Sequence, residues 1–127
     1  MIFDTDVLIW AFKKNKNAMQ LLYETEGIFI SAVTHMELLQ GALNKQELSQ
    51  IKKFLKAFGI QTLYITPEIT KRAMDYVENY ALSDSMQLAD ALIAATAIEN
   101  EETLCTANVK HYKCIHTLNL NMLKVTE

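Results

Sequence analysis

The length and spacing of the apolar runs restrict this chain most. Ile2-Phe3, Ile28-Phe29-Ile30, Ile60 to Ile65 and Thr103-Leu104-Cys105-Thr106 are short and largely apolar, and segments with helical periodicity separate them. A strand without a polar face has to be covered on both sides. Helices between such strands give that cover and also the crossovers that parallel strands require. The pattern predicts an α/β fold: one domain over residues 1–127, with a mostly parallel sheet of four or five short strands flanked by helices. Lys113 to Thr117 is the candidate for the last strand. A chain of 127 residues suits one domain, and half of it is apolar, enough for a sizeable core. Three glycines and one proline exclude a loop-rich or low-complexity architecture.

Local signals mark the helices. Residues 17–25 place Ala18, Leu21, Leu22 and Thr25 on one face, and Gly27 closes that segment. Ser31 or Thr34 can cap the next helix, and Gly41 lies near its end. With Thr34 as N-cap, Glu37 falls at the third helical position, the T-x-x-E spacing of a capping box. Residues 45–58 carry Leu48, Ile51, Leu55 and Phe58 on one stripe with Phe54, and Gly59 stops them. Thr66-Pro67 reads as an N-cap followed by proline at the first helical position. The helix after it aligns Ile69, Ala73, Val77 and Tyr80. Asp84 with Gln87 offers another capping signal, before Leu88 to Ile98, which is apolar nearly all round.

Some functional classes fall away at once. No stretch approaches the roughly 20 apolar residues that span a bilayer, so no membrane role is expected. The opening MIFDTDVLIW has an acid at position 4 and no basic lead-in, unlike a secretory signal. Cys105 and Cys114 form neither a disulfide framework nor a zinc-ligand set, which fits free thiols in a reducing cytoplasm. The net charge of −3 runs against the basic character usual in nucleic-acid binders. The lysines nevertheless come in groups, such as Lys13, Lys14 and Lys16, or Lys110 and Lys113, each of which also reads as a solvated helix end.

Ligands of open α/β sheets bind beyond the carboxyl ends of the strands, so polar residues just past strands matter most. Asp4 follows Ile2-Phe3 among apolar neighbours, a poor place for a lone charge. It reads as a site carboxylate or a helix N-cap, two compatible roles. Asp90 sits in Leu88-Ala89-Asp90-Ala91-Leu92, with Ala94 and Ala97 on its helix face, where another part of the chain can come close. Its plainer roles are to complement the helix dipole or to stand in solvent. Glu37 alone is a capping residue, and Asn108, within Thr106-Ala107-Asn108, alone is a turn residue. Taken together they change meaning. Three acids and an amide at strand ends or helix starts converge on one edge of a parallel sheet. Their mutual repulsion calls for a cation, and an all-oxygen set selects Mg²⁺ or Mn²⁺, the ions of phosphate chemistry. No glycine-rich phosphate loop points to a nucleoside triphosphate.

The same residues resemble the PIN-domain family, and within it the VapC-type toxins of prokaryotic toxin–antitoxin pairs. FDTDVLIW (residues 3–10), SAVTHMELLQGA (31–42), LADALIAATAIE (88–99) and TLCTANVKHY (103–112) are similar to that family's motifs in order along the whole chain. The resemblance implies a metal-dependent ribonuclease with Asp4, Glu37 and Asp90 as catalytic acids and metal ligands. It implies Asn108 at the fourth site position and polar support from Thr5, Asp6 and Thr106. Asn108 stands where many relatives carry Asp, which weakens the case for a second tightly held ion. The implied partners are an RNA substrate, a cognate antitoxin protein and a second copy in a homodimer. A phosphatase of the haloacid-dehalogenase type is the competing enzyme, since Asp4-x-Asp6 follows the first strand. Val7 after Asp6, and the lack of any Gly-Asp pair, count against it. A PIN-like module that only binds RNA or a partner is the non-enzymatic alternative.

Overall fold

The strands in this molecule are short; those in the middle of the sheet are buried, and the two edge strands are partly exposed. The computed structural model describes residues 1–126. In it β1 (Ile2–Phe3), β2 (Phe29–Ser31), β3 (Gln61–Leu63), β4 (Leu104–Thr106) and β5 (Leu120–Met122) form one sheet in the order β3-β2-β1-β4-β5. Every pairing is parallel, with Ile2 opposite both Phe29 and Leu104. The strand period of two sends alternate side chains to opposite faces. Ile2 and Leu104 enter one core with Ile69, Ile93 and Tyr112, whereas Phe3 and Cys105 enter the other with Val7, Leu22 and Leu55.

Between the strands run α1 (Thr5–Phe12), α2 (Lys16–Glu24), α3 (Ala32–Gln40), α4 (Lys45–Ala57), α5 (Pro67–Asp84) and α6 (Leu88–Glu99). The most extensive helix–helix contact is that of α5 with α6. On α6, Ala91, Ala94, Ala95 and Ala97 are all fully buried, small side chains that let neighbouring backbones approach. Thr66 caps α5 with a bond from the Ile69 amide, and Pro67 occupies its first turn, as the sequence predicts.

Two local expectations fail, and a third is decided between its alternatives. Ser31, not Thr34, is the N-cap of α3: its hydroxyl accepts from the Thr34 amide at 3.0 Å. This moves the helix start three residues earlier and puts Glu37 in the second turn, beyond a capping box. Asp84 does not cap α6. It ends α5, with left-handed Ser85 behind it, and α6 starts at Gln87 without a side-chain cap bond. Lys113 to Thr117 is not a strand. Amide bonds from Ile115 to Tyr112 and from Leu118 to Ile115 make it a run of turns. Tyr112, Ile115 and Leu118 are all buried, a period of three rather than two. The fifth strand lies later, at Leu120–Met122.

Strand order fixes where chemistry can occur. From β1 the chain moves to one side through β2 and β3, then returns to the other side as β4 and β5. The reversal leaves a crevice beyond the carboxyl ends of β1 and β4.

Candidate active site

Asp4 is the first residue after β1 and the N-cap of α1; its Oδ1 accepts the Thr5 amide at 2.8 Å. Its Oδ2 accepts the hydroxyls of Thr106, at 2.8 Å, and Tyr112, at 3.0 Å. Asp4 is therefore a cap and a crevice carboxylate at once. Burial, then the negative charge of Asp6, pushes its carboxyl up to about 6, against the bonds from Thr106, Tyr112 and Thr5.

Asp6 sits in the first turn of α1. Its Oδ2 accepts from the Ala107 amide at 3.1 Å and lies 3.4 Å from the Thr106 hydroxyl. Its Oδ1 is buried and, among the described residues, has no hydrogen-bond partner. Burial raises this carboxyl too, while the Ala107 amide and Thr106 pull it down. Thr106, the end of β4, thus bonds directly to Asp4 and reaches towards Asp6.

Asp90 comes from the first turn of α6 and meets Asp4 through a single group. The Tyr112 hydroxyl lies 3.3 Å from Asp90 Oδ1 while it donates to Asp4. The other oxygen of Asp90 is 3.7 Å from His111 Nδ1, within ion-pair range when the imidazole is protonated. Burial, then Asp4 and Asp90, pushes Tyr112 well above the usual phenol range, so it remains protonated. Glu37 is exposed and joins through Thr5, whose hydroxyl donates to Glu37 Oε1 at 2.7 Å and lies 3.0 Å from the Thr34 hydroxyl.

Asp4, Asp6, Asp90 and Thr106 therefore share one bonded network, and Glu37 connects to it through Thr5. Asn108 stands apart. It is exposed, its backbone amide donates to Thr106 Oγ1 at 3.0 Å, and among the described residues its side chain bonds to none of the carboxylates. Tyr112 and His111, which lie against Asp90, are not singled out by sequence reasoning. A signal for them exists: both follow β4 within six residues of Thr106, in the segment that leaves the crevice.

These groups suit a divalent cation in kind. The donors are hard oxygens, one carboxylate oxygen is buried without a partner among the described residues, and Asp4 and Asp6 carry like charge into a place that disfavours it. Among the described residues, no three His, Cys, Asp or Glu side chains yet stand as a closed ligand set. Glu37 is exposed and receives a hydrogen bond from Thr5. Beside it opens a groove of ≈ 550 Å³ between α1, α3 and α4, walled by Ile9, Phe12, Leu38, Ile51 and Phe54, with Lys14 and Glu47 also at its lining.

Comparisons with known proteins bear on the family and the fold. The family described as PIN domain matches residues 1–114. Ribonuclease VapC10 of Mycobacterium tuberculosis is 31% identical over 122 residues, 93% of this chain and 90% of that protein. A toxin–antitoxin complex from Klebsiella pneumoniae contains a chain superposing with a TM-score of 0.79 at 27% identity, covering 99% of this chain and 98% of that one. VapBC2 from Rickettsia felis, bound to a DNA fragment from its promoter, gives 0.77 at 26% identity, covering 98% and 100%.

Proposed function

Because the chain belongs to the PIN domain family, we propose that it is a metal-dependent ribonuclease, the toxin of a toxin–antitoxin pair, with Asp4, Glu37 and Asp90 as its acidic centre. The observation that carries this is the convergence of Asp4, from the end of β1, and Asp90, from the start of α6, on one buried hydroxyl at the sheet's crevice. The phosphatase alternative has no support in the family match, and in the fold Asp6 is tied to the Ala107 amide.

Asp4, Asp90 and Glu37 would hold Mg²⁺ or Mn²⁺, with Asp6 adding negative charge behind them. The bound ion supplies positive charge to the phosphate oxygens and makes the attacking water more acidic. The protein does the rest. Thr106, Thr5 and Tyr112 fix the Asp4 carboxylate by hydrogen bonds. Glu37, exposed and oriented by the Thr5 hydroxyl at one oxygen, would offer its other oxygen to the ion or to a proton of the attacking water. Asn108, exposed two residues past Thr106, would orient water or a phosphate oxygen, and exposed Lys110 and Lys113 in the same segment would offset the chain's net negative charge towards RNA.

The groove next to Glu37 would receive the antitoxin. An Arg or Lys of such a partner would reach the carboxylates while apolar side chains fill the groove, which blocks ion and substrate together. A second apolar groove of ≈ 570 Å³ lies between α5 and α6, with Met74 and Leu88 exposed at its lining, and it supports self-association as a homodimer. No helix among the described residues is long and apolar enough to cross a membrane, and we place the activity in the cytoplasm, where RNA is available.

The test is RNA cleavage by the purified chain. EDTA should abolish it and Mg²⁺ or Mn²⁺ restore it. Asp4→Asn and Asp90→Asn should each lose at least about 100-fold while staying folded, and Asn108→Ala should lose less. Cleavage that persists in excess chelator, or turnover of p-nitrophenyl phosphate in place of RNA, would overturn the proposal.

A further inference from the structure

We propose that Tyr112 is a positioning residue whose hydroxyl holds the Asp4 and Asp90 carboxylates at the separation one ion can share; this rests on the metal-dependent function proposed above. Asp4 and Asp90 lie 86 positions apart in the chain, and among the described residues the Tyr112 hydroxyl is the group within hydrogen-bond distance of both, at 3.0 and 3.3 Å, with one proton shared between them. The Tyr112 ring is fully buried in the core that contains Ile93, Leu104 and Ile115, so the hydroxyl cannot move without the core.

Counting acceptor positions shows what the hydroxyl leaves open. Asp4 Oδ2 takes two donors, Thr106 and Tyr112, and is filled. Among the described residues, Asp4 Oδ1 takes only the Thr5 amide. Asp90 Oδ1 faces Tyr112, whereas Asp90 Oδ2 has, among the described residues, no hydrogen bond, only His111 at 3.7 Å. Each carboxylate therefore has one oxygen facing the Tyr112 hydroxyl, which donates more closely to Asp4, and a second with room for another ligand. Groups that bond the far side of a ligating carboxylate in this way set its orientation and typically change metal affinity by about 10–100-fold when lost. Without the hydroxyl, two like charges would face each other across a space lined by a phenyl edge, and would swing apart.

Tyr112→Phe keeps the ring and removes only the bond. Mn²⁺ binding is measured by titration with electron paramagnetic resonance on wild type, Tyr112→Phe and Asp90→Asn, alongside melting temperature without metal. Tyr112→Phe should bind Mn²⁺ at least about tenfold more weakly, and its cleavage of RNA should return towards the wild-type rate as Mn²⁺ is raised. A hydroxyl that serves packing alone would lower the melting temperature and leave the Mn²⁺ affinity unchanged; that result overturns the proposal. Wild type that binds no Mn²⁺ overturns instead the function beneath it. A second measurement needs no variant: in wild type with ¹³C-labelled tyrosine, one of the five tyrosine ring signals should move on adding Mg²⁺. If none moves while Mg²⁺ binds, Tyr112 does not respond to the ion and the proposal fails.

Discussion

At the scale of single residues, Asp4 shows how a site carboxylate lowers the stability of its own fold. Its carboxyl stands at about 6 against an ordinary 3.8. The native state therefore binds the proton more tightly than the unfolded chain between those values. Stability of the metal-free protein falls as pH rises through that window, and the loss is complete above about 6. The shift corresponds to at most about 3 kcal/mol, from which Asn gives back about 1 kcal/mol because its NH₂ cannot accept the bonds that Asp4 receives. In EDTA at pH 8, Asp4→Asn should be more stable than wild type by about 1–2 kcal/mol in urea denaturation, and the advantage should vanish near pH 4. An Asn variant less stable than wild type at pH 8 would mean that the hydrogen bonds outweigh the buried charge. Asp4 and Asp90 were legible in the sequence because a charge among apolar neighbours needs a partner or a purpose. Tyr112 was not. A tyrosine between His111 and Lys113 reads as surface, and only the turn that follows β4 carries it inside. Glu37 stood out only in company with the other acids, and the capping spacing that was its plainer reading is one the fold does not use, since Ser31 took the cap.

At the scale of elements, that cap can be tested. Ser31 ends β2 and starts α3, and its buried hydroxyl serves both the Thr34 amide and the Thr34 hydroxyl, at 3.0 and 3.3 Å. Ser31→Ala should cost about 1–2 kcal/mol in chemical denaturation. Because Thr34 in turn touches Thr5, which holds Glu37, the substitution should also lower RNA cleavage more than its stability loss accounts for. A stability loss with activity intact would show that Glu37 does not need the Ser31–Thr34–Thr5 chain. The amphipathic and apolar helices were readable from periodicity, because Leu, Ile and Phe at 3.6-residue spacing form a continuous stripe only when the backbone is helical. The end of the chain was not. Residues 113–118 bury every third side chain through successive turns, and a short apolar run of that kind imitates a strand until its partners are known.

At the scale of the molecule, the surface beside the site carries the regulation proposed above. Ile9 is 42% exposed on α1 and lines the groove next to Glu37. Ile9→Lys should change the stability of the free chain by no more than about 0.5 kcal/mol. Co-expressed with the product of its neighbouring gene, it should lose copurification and inhibition while RNA cleavage persists; an Ile9→Lys protein still captured and silenced would place the partner elsewhere. The parallel α/β plan was legible from strand and helix spacing, but the sheet order was not, since no local signal states that the first strand lies in the middle. That placement has a consequence during synthesis. The ribosome makes β1 first, yet β1 pairs with Leu104 and Cys105, and its Asp4 is bonded by Thr106 and Tyr112, all more than 95 residues downstream. A product truncated before β4 lacks Thr106 and Tyr112, and so cannot assemble the crevice around Asp4 even where it carries Glu37 and Asp90. The translating cell is thus spared a cleaving fragment until almost the whole chain has emerged.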